Sequence, residues 1–258
     1  METQMEHKNS EIWRDINEPN RGYLVVLLST FLFYCVSLLA QYLQISSVAE
    51  KSKWKWKNIS VSFIHSLISS IWSVLCFFER PDMAEDLITT YTTLSHTLIA
   101  FSVGYFLYDL LDLYMSRRSR QSLELIGHHF VIITCFMVAV GTRHYVGYAV
   151  VALLVEINSI FLHLRQLLQI CGVSKLNSWS RVNSFVNLGT FIVFRILLLA
   201  WMTRWLVINK DSVPLLFYTL GSVGLAVMVA MNIILFYRLL RSDFIALKGN
   251  ESDVKKTS

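Results

Sequence analysis

Apolar runs of about 20 residues recur along the whole chain, separated by short polar stretches. Each run is long enough for a helix to cross about 30 Å of hydrocarbon. The pattern predicts seven transmembrane helices, at residues 23–45, 59–78, 94–115, 123–140, 145–170, 185–208 and 214–240. The fourth is the shortest, and the second and fifth carry several polar residues. Barrel strands would be shorter and would alternate. Pro19, Pro81 and Pro214 fall in loops or at the edges of these runs, and Pro214 suits a first helical turn.

The polar stretches set the topology. Residues 1–22 hold Glu11, Asp15 and Glu18 and lack a basic start, so residues 23–50 predict a retained first helix and not a cleaved signal. Lys51, Lys53, Lys55, Lys57, Arg117, Arg118, Arg120, Lys175, Arg181, Arg241, Lys248, Lys255 and Lys256 fall on one side of the predicted membrane. A smaller basic set, Lys8, Arg14, Arg21, Arg80, Arg143, Arg204 and Lys210, falls on the other. The richer side is expected in the cytosol. Residues 1–22 are then extracellular or lumenal, and residues 246–258 form a cytosolic tail.

Composition narrows the function classes. The chain of 258 residues is 54% hydrophobic and only 16% charged, with a mean hydropathy of +0.49. A soluble domain is about 25% charged. The net charge of +5 reads as topology and contact with anionic lipid. No soluble region exists to carry a nucleic-acid surface. The four cysteines lack metal-ligand spacing, so no metal or cofactor is implied. Residues 51–58 interleave lysine with Trp54 and Trp56, a pattern suited to the headgroup zone. The final KKTS resembles a retrieval signal of the endoplasmic reticulum.

The polar residues inside the apolar runs carry the candidate chemistry. Asn58, Ser62, His65, Ser69 and Trp72 recur at helical spacing. So do Tyr105, Asp109 and Asp112, and again Glu156, Ser159, His163 and Gln166. Three such stripes predict an all-α polytopic protein whose helices enclose a polar chamber, open toward the cytosol or inner leaflet. Charges facing lipid would each cost several kcal/mol. Asp109 and the adjacent His128 and His129 flank a charged hairpin at residues 116–120, at a matched depth of roughly 12–15 Å.

Two carboxylates and two imidazoles at one depth make Asp109, Asp112, His128 and His129 the candidate catalytic set, because a carboxylate orients an imidazole and raises its basicity. His65, Glu156, Ser159, His163 and Arg195 are the expected chamber or lipid-binding residues. Glu156 and Arg195, both near mid-membrane, are expected to pair.

The paired histidine in this setting resembles the TLC-domain family, which includes the ceramide synthases. The segments WKNISVSFIHSLISSIW, SVGYFLYDLLDL, HHFVIITC, HYVGYAVVALLVEINSIFLHLR and RLLRSDF carry the resemblance. It covers residues 51–245 and is nearest to a branch linked to plasma-membrane fluidity. The resemblance implies a multi-pass cell-membrane protein that limits entry of long polyunsaturated acyl chains into phospholipids. Its partners would be phospholipids or other acyl lipids; the sequence names no protein partner.

A second reading is a lipid acyltransferase using His128 or His129, with acyl-CoA as substrate. The ceramide synthase motif continues, about 28 residues after its His pair, with His-Asp and a second Asp three residues later. This chain has Val155, Glu156 and Ser159 there, so sphingoid N-acylation is not expected. A transporter is a third reading; the lack of helices interrupted by Gly and Pro counts against it.

Overall fold

A computed structural model describes residues 20–43, 52–116 and 120–242. Among these residues every regular element is helical, and seven segments are long and apolar enough to cross a membrane. They are Arg21–Tyr42, Lys53–Glu79, Thr93–Met115, Glu124–Thr142, Val146–Ile170, Ser178–Ile208 and Leu215–Leu240, termed here the first to seventh spans. The chain is thus an all-α polytopic membrane protein. The hairpin at residues 117–119, the KKTS tail and most of residues 1–22 lie outside the described residues.

The second span begins six residues earlier than its apolar run, so Trp54, Lys55 and Trp56 form its first turns. Trp56 Nε1 donates to the carbonyl of Ala40 at 3.2 Å and ties this end to the first span. The sixth span likewise starts early, at Ser178, where the Asn177 side chain accepts from the Trp179 N–H. The third span opens with a reciprocal capping box between Thr92 and Ser95, which satisfies two otherwise orphaned donors.

The first three spans pack as one layer around a shared core. At Gly104 a Cβ would lie 2.5 Å from Ser29 Cβ and 2.7 Å from the Val26 carbonyl oxygen. Only glycine lets the first and third spans approach so closely. Ser29 Oγ donates to the Phe101 carbonyl at 2.7 Å, and Thr30 Oγ1 to the Gly104 carbonyl at 3.1 Å. Phe33 is fully buried there against His65, Phe101 and Tyr105.

Two later spans are irregular near their middles. The fifth tightens around Leu154 and Val155, where successive N–H groups reach back three residues, from Leu154 to Val151 and from Val155 to Ala152. The sixth contains a π-helical turn at Ile192–Leu197 that includes Arg195. No Gly or Pro occurs at either break, so neither is signalled by the residue types. Such interruptions concentrate at functional sites.

Candidate functional site

Two polar centres form at mid-membrane, and adjacent histidines separate into them. Consecutive residues on a helix point about 100° apart. His129 therefore faces the third span while His128 faces a cavity on the other side.

The first centre is a packed seam between the second, third and fourth spans. His129 Nε2 lies 2.8 Å from Asp109 Oδ2, both nearly fully buried. The ring's N–H direction misses that oxygen, so the contact is a close approach and not a linear hydrogen bond. Asn58 Nδ2 donates to Asp109 Oδ1 at 2.6 Å. Toward the basic end, Asp112 accepts from Lys57 Nζ, from Trp54 Nε1 at 3.0 Å and from Asn58 Nδ2 at 3.4 Å. Asp112 is thus committed to an ion pair at the membrane rim. Deeper in, His65 stacks on Tyr105 at 3.8 Å between ring centroids, and Tyr105 Oη donates to Ser62 Oγ at 2.9 Å. His65 Nε2 is 3.3 Å from Ser102 Oγ.

The second centre caps a cavity of about 170 Å³ among the fourth to seventh spans. Its polar end is formed by His128, Glu156 and Arg195. The rest of the wall is almost wholly apolar, including Ile132, Phe136, Leu199, Met202, Leu220 and Leu225. It extends to Tyr145, Trp205, Val213 and Phe217 near the opposite membrane face. Tyr145 holds a left-handed backbone, φ 64°, where its N–H donates to the Ile88 carbonyl at 2.7 Å.

Two expectations are corrected by this arrangement. The chamber is not built from the three polar stripes, because those of the second and third spans pack directly on each other. Among the expected lining residues Glu156 and Arg195 reach the cavity, joined by His128, whereas His65, Ser159 and His163 do not. Its apolar depth runs away from the basic rim.

The Glu156–Arg195 pair is also absent. Arg195 donates through Nε to Asn158 Oδ1 at 2.7 Å, through one terminal nitrogen to Asn232 Oδ1 at 2.8 Å, and through the other to Ser159 Oγ at 2.8 Å. Glu156 instead accepts from Ser66 Oγ at 2.6 Å. Matched depth placed both charges correctly, but depth leaves the direction around each helix open. Asn158, Asn232 and Ser66 were not singled out from the sequence. Their signal was an amide or hydroxyl isolated in an apolar run.

An apolar cavity with one ionisable end, beside two interrupted helices, sits within a polytopic all-α membrane protein. Residues 55–241 match the TLC domain family. The chain is 58% identical to TLC domain-containing protein 2 of Danio rerio over 93% of its own length and 96% of that protein. It is 40% identical to the Homo sapiens TLC domain-containing protein 2 over 76% of its length and 74% of that protein. For the Mus musculus TLC domain-containing protein 1, identity is 35% over 74% and 76% of the two chains. The chain belongs to the TLC-domain family.

Proposed function

We propose that this protein governs the acyl composition of membrane phospholipids, limiting incorporation of polyunsaturated chains and so lowering membrane fluidity. The observation that carries the reading is the cavity, apolar along its length and closed at mid-membrane by His128, Glu156 and Arg195. An acyl chain suits the apolar wall, and its polar terminus suits the three ionisable groups. Membership of the TLC-domain family supports a lipid ligand. The cell membrane is the proposed site of action, with the endoplasmic reticulum as the alternative.

Lipid profiling of cells lacking the protein, with and without added polyunsaturated fatty acid, tests the proposal. The expected result is a larger polyunsaturated share in phospholipids and more fluid membranes. An unchanged profile with a fall in ceramides would favour acyl transfer.

That second reading draws on the close approach of His129 to Asp109, an imidazole beside a carboxylate. His129, however, is not part of the cavity wall. Purified protein with labelled acyl-CoA and a lysophospholipid panel separates the two readings.

A further inference from the structure

The mid-membrane end of the cavity holds charges of both signs, and neither meets an opposite charge. Arg195 spends three of its five N–H donors, each on an uncharged oxygen, from Asn158, Asn232 and Ser159. Glu156 accepts from the uncharged Ser66 hydroxyl. His128, the third polar group of this wall, keeps Nδ1 buried with no hydrogen-bond partner among the described residues. Two guanidinium N–H donors, the remaining carboxylate lone pairs and an imidazole nitrogen are therefore left for a ligand. The other titratable side chains do not compete for this end. Asp109 and His129 approach each other in the packed seam, and His65 and His163 are outside the wall. Cys135, Tyr145 and Tyr148 line the apolar length, where Tyr148 Oη donates to the Met202 carbonyl at 3.2 Å.

Charge balance selects what can sit there. With Arg195 and Glu156 ionised and His128 neutral, the wall carries no net charge. A carboxylate or phosphate would make it negative, and an ammonium would make it positive. Either state is expensive at mid-membrane. An ester or thioester carbonyl is uncharged but only accepts, so it gives Glu156 no second donor. A terminal O–H answers both groups: it donates to Glu156, and its oxygen accepts from Arg195. His128 takes part in either sense, since a neutral imidazole offers one donor and one acceptor nitrogen. The headgroup of a phospholipid is excluded by depth as well, because it belongs at the interface, about 15 Å away.

We propose that the cavity takes a single-chain lipid with an uncharged, hydroxyl-bearing terminus, a protonated fatty acid or a fatty alcohol. The terminus is hydrogen-bonded to Glu156 and Arg195, and the chain runs toward Tyr145 and Phe217. This rests on the cavity's being a lipid site and names its ligand as the free chain, not the phospholipid that later carries it. Holding free chains in this way withdraws them before esterification.

Melting of the purified full chain in an uncharged detergent tests this, with hexadecanol, palmitic acid, hexadecylamine and hexadecyl phosphate titrated separately. Hexadecanol is expected to raise the melting temperature at both mildly acidic and alkaline pH, by mass action on the folded state. Palmitic acid is expected to do so at mildly acidic pH and to lose the effect at alkaline pH. The larger of the two shifts names the preferred source of the hydroxyl. The amine and the phosphate are expected to bind at least about tenfold more weakly. Gly221→Leu, which fills the cavity, is expected to remove the hexadecanol shift. Glu156→Gln leaves the Arg195 charge uncompensated, so that variant is expected to accept palmitate at alkaline pH. The ligand panel on the wild type decides the matter without any variant. Equal or stronger stabilisation by the amine or the phosphate would overturn the uncharged terminus and leave a lipid cavity standing. So would an undiminished palmitate effect at alkaline pH in the wild type. No shift across the whole panel, or a hexadecanol shift that survives in Gly221→Leu, would overturn the proposal together with the cavity's role.

Discussion

The first three spans and the last four solve the same problem in opposite ways. The third and fifth spans are the most buried of their groups, 67% and 56% of their apolar windows, whereas the first, fourth, sixth and seventh bury only 28%, 22%, 22% and 17%, so the contrast lies in where the polar groups go. In the first half, polar side chains meet one another and leave no room: Asn58 with Asp109, Tyr105 with Ser62, His65 with Ser102. In the second half, polar groups are drawn to the end of an open apolar space. One half is a scaffold and the other holds the cavity. The lesson is that an intramembrane ionisable group does not identify a site by itself. Asp112 is as polar as Glu156, yet it serves the rim through Lys57 and Trp54.

Placing the same side chain in both halves should break this symmetry most sharply. Gly104→Leu drives a side chain into the Val26 carbonyl and the Ser29 side chain and should cost at least about 3 kcal/mol, or prevent folding. Thermal unfolding in detergent, or failure to express, checks it.

The next effect belongs to Arg195. Arg195→Leu leaves the Asn158, Asn232 and Ser159 oxygens without their donor and should cost about 2 kcal/mol or more. Paired with Glu156→Gln in a double-mutant cycle, it should show coupling well below the roughly 3–5 kcal/mol of a broken buried ion pair.

The two histidines sharpen the comparison. His129→Ala should destabilise by about 1–2 kcal/mol, because it strips a contact from the packed seam. His128→Ala should change stability by less than about 1 kcal/mol and still abolish the effect on phospholipid acyl composition. Melting curves alongside lipid profiles of complemented cells would separate the two roles.

Filling the cavity should be nearly neutral for folding. A Cβ on Gly221 meets nothing closer than Leu206 at 3.5 Å, and the residue faces the cavity. Gly221→Leu should therefore shift stability by less than about 1 kcal/mol, the helix gain from removing glycine offsetting local crowding.

The smallest expected effect lies in the loop between the second and third spans. Hydrogen bonds from the Thr89 side chain, and then from its backbone, hold the Asp86 carboxyl below its ordinary range. The ionised form is thus favoured by folding. That contribution is present above the ordinary aspartate range and is lost as pH falls through the lowered value. Thr89→Val should flatten this acid-side dependence of the melting temperature slightly, since Asp86 is only half-buried.

Much of this architecture was legible in the chain. Seven apolar runs gave seven spans, and helical spacing brought Asn58, Ser62, His65, Tyr105 and Asp109 to one seam, because length and period are local properties. What escaped was azimuth and irregularity. The separation of His128 from His129 depends on which neighbours each face meets. The tightened turn at Leu154 and the π turn around Arg195 arise without Gly or Pro in either turn. They turn Glu156 and Arg195 toward the same cavity without joining them. Depth alone could rank these residues as candidates but could not assign them to a packed seam or an open wall.

The central claim is that the cavity, and not the His129–Asp109 seam, carries the lipid function. Its most direct test is rescue of cells lacking the protein by wild type and by Gly221→Leu, read as the polyunsaturated share of phospholipids under added polyunsaturated fatty acid. The wild type is expected to restore the low share. The filled variant, expressed and folded to the same level, is expected to leave it high. Full rescue by Gly221→Leu would contradict the claim.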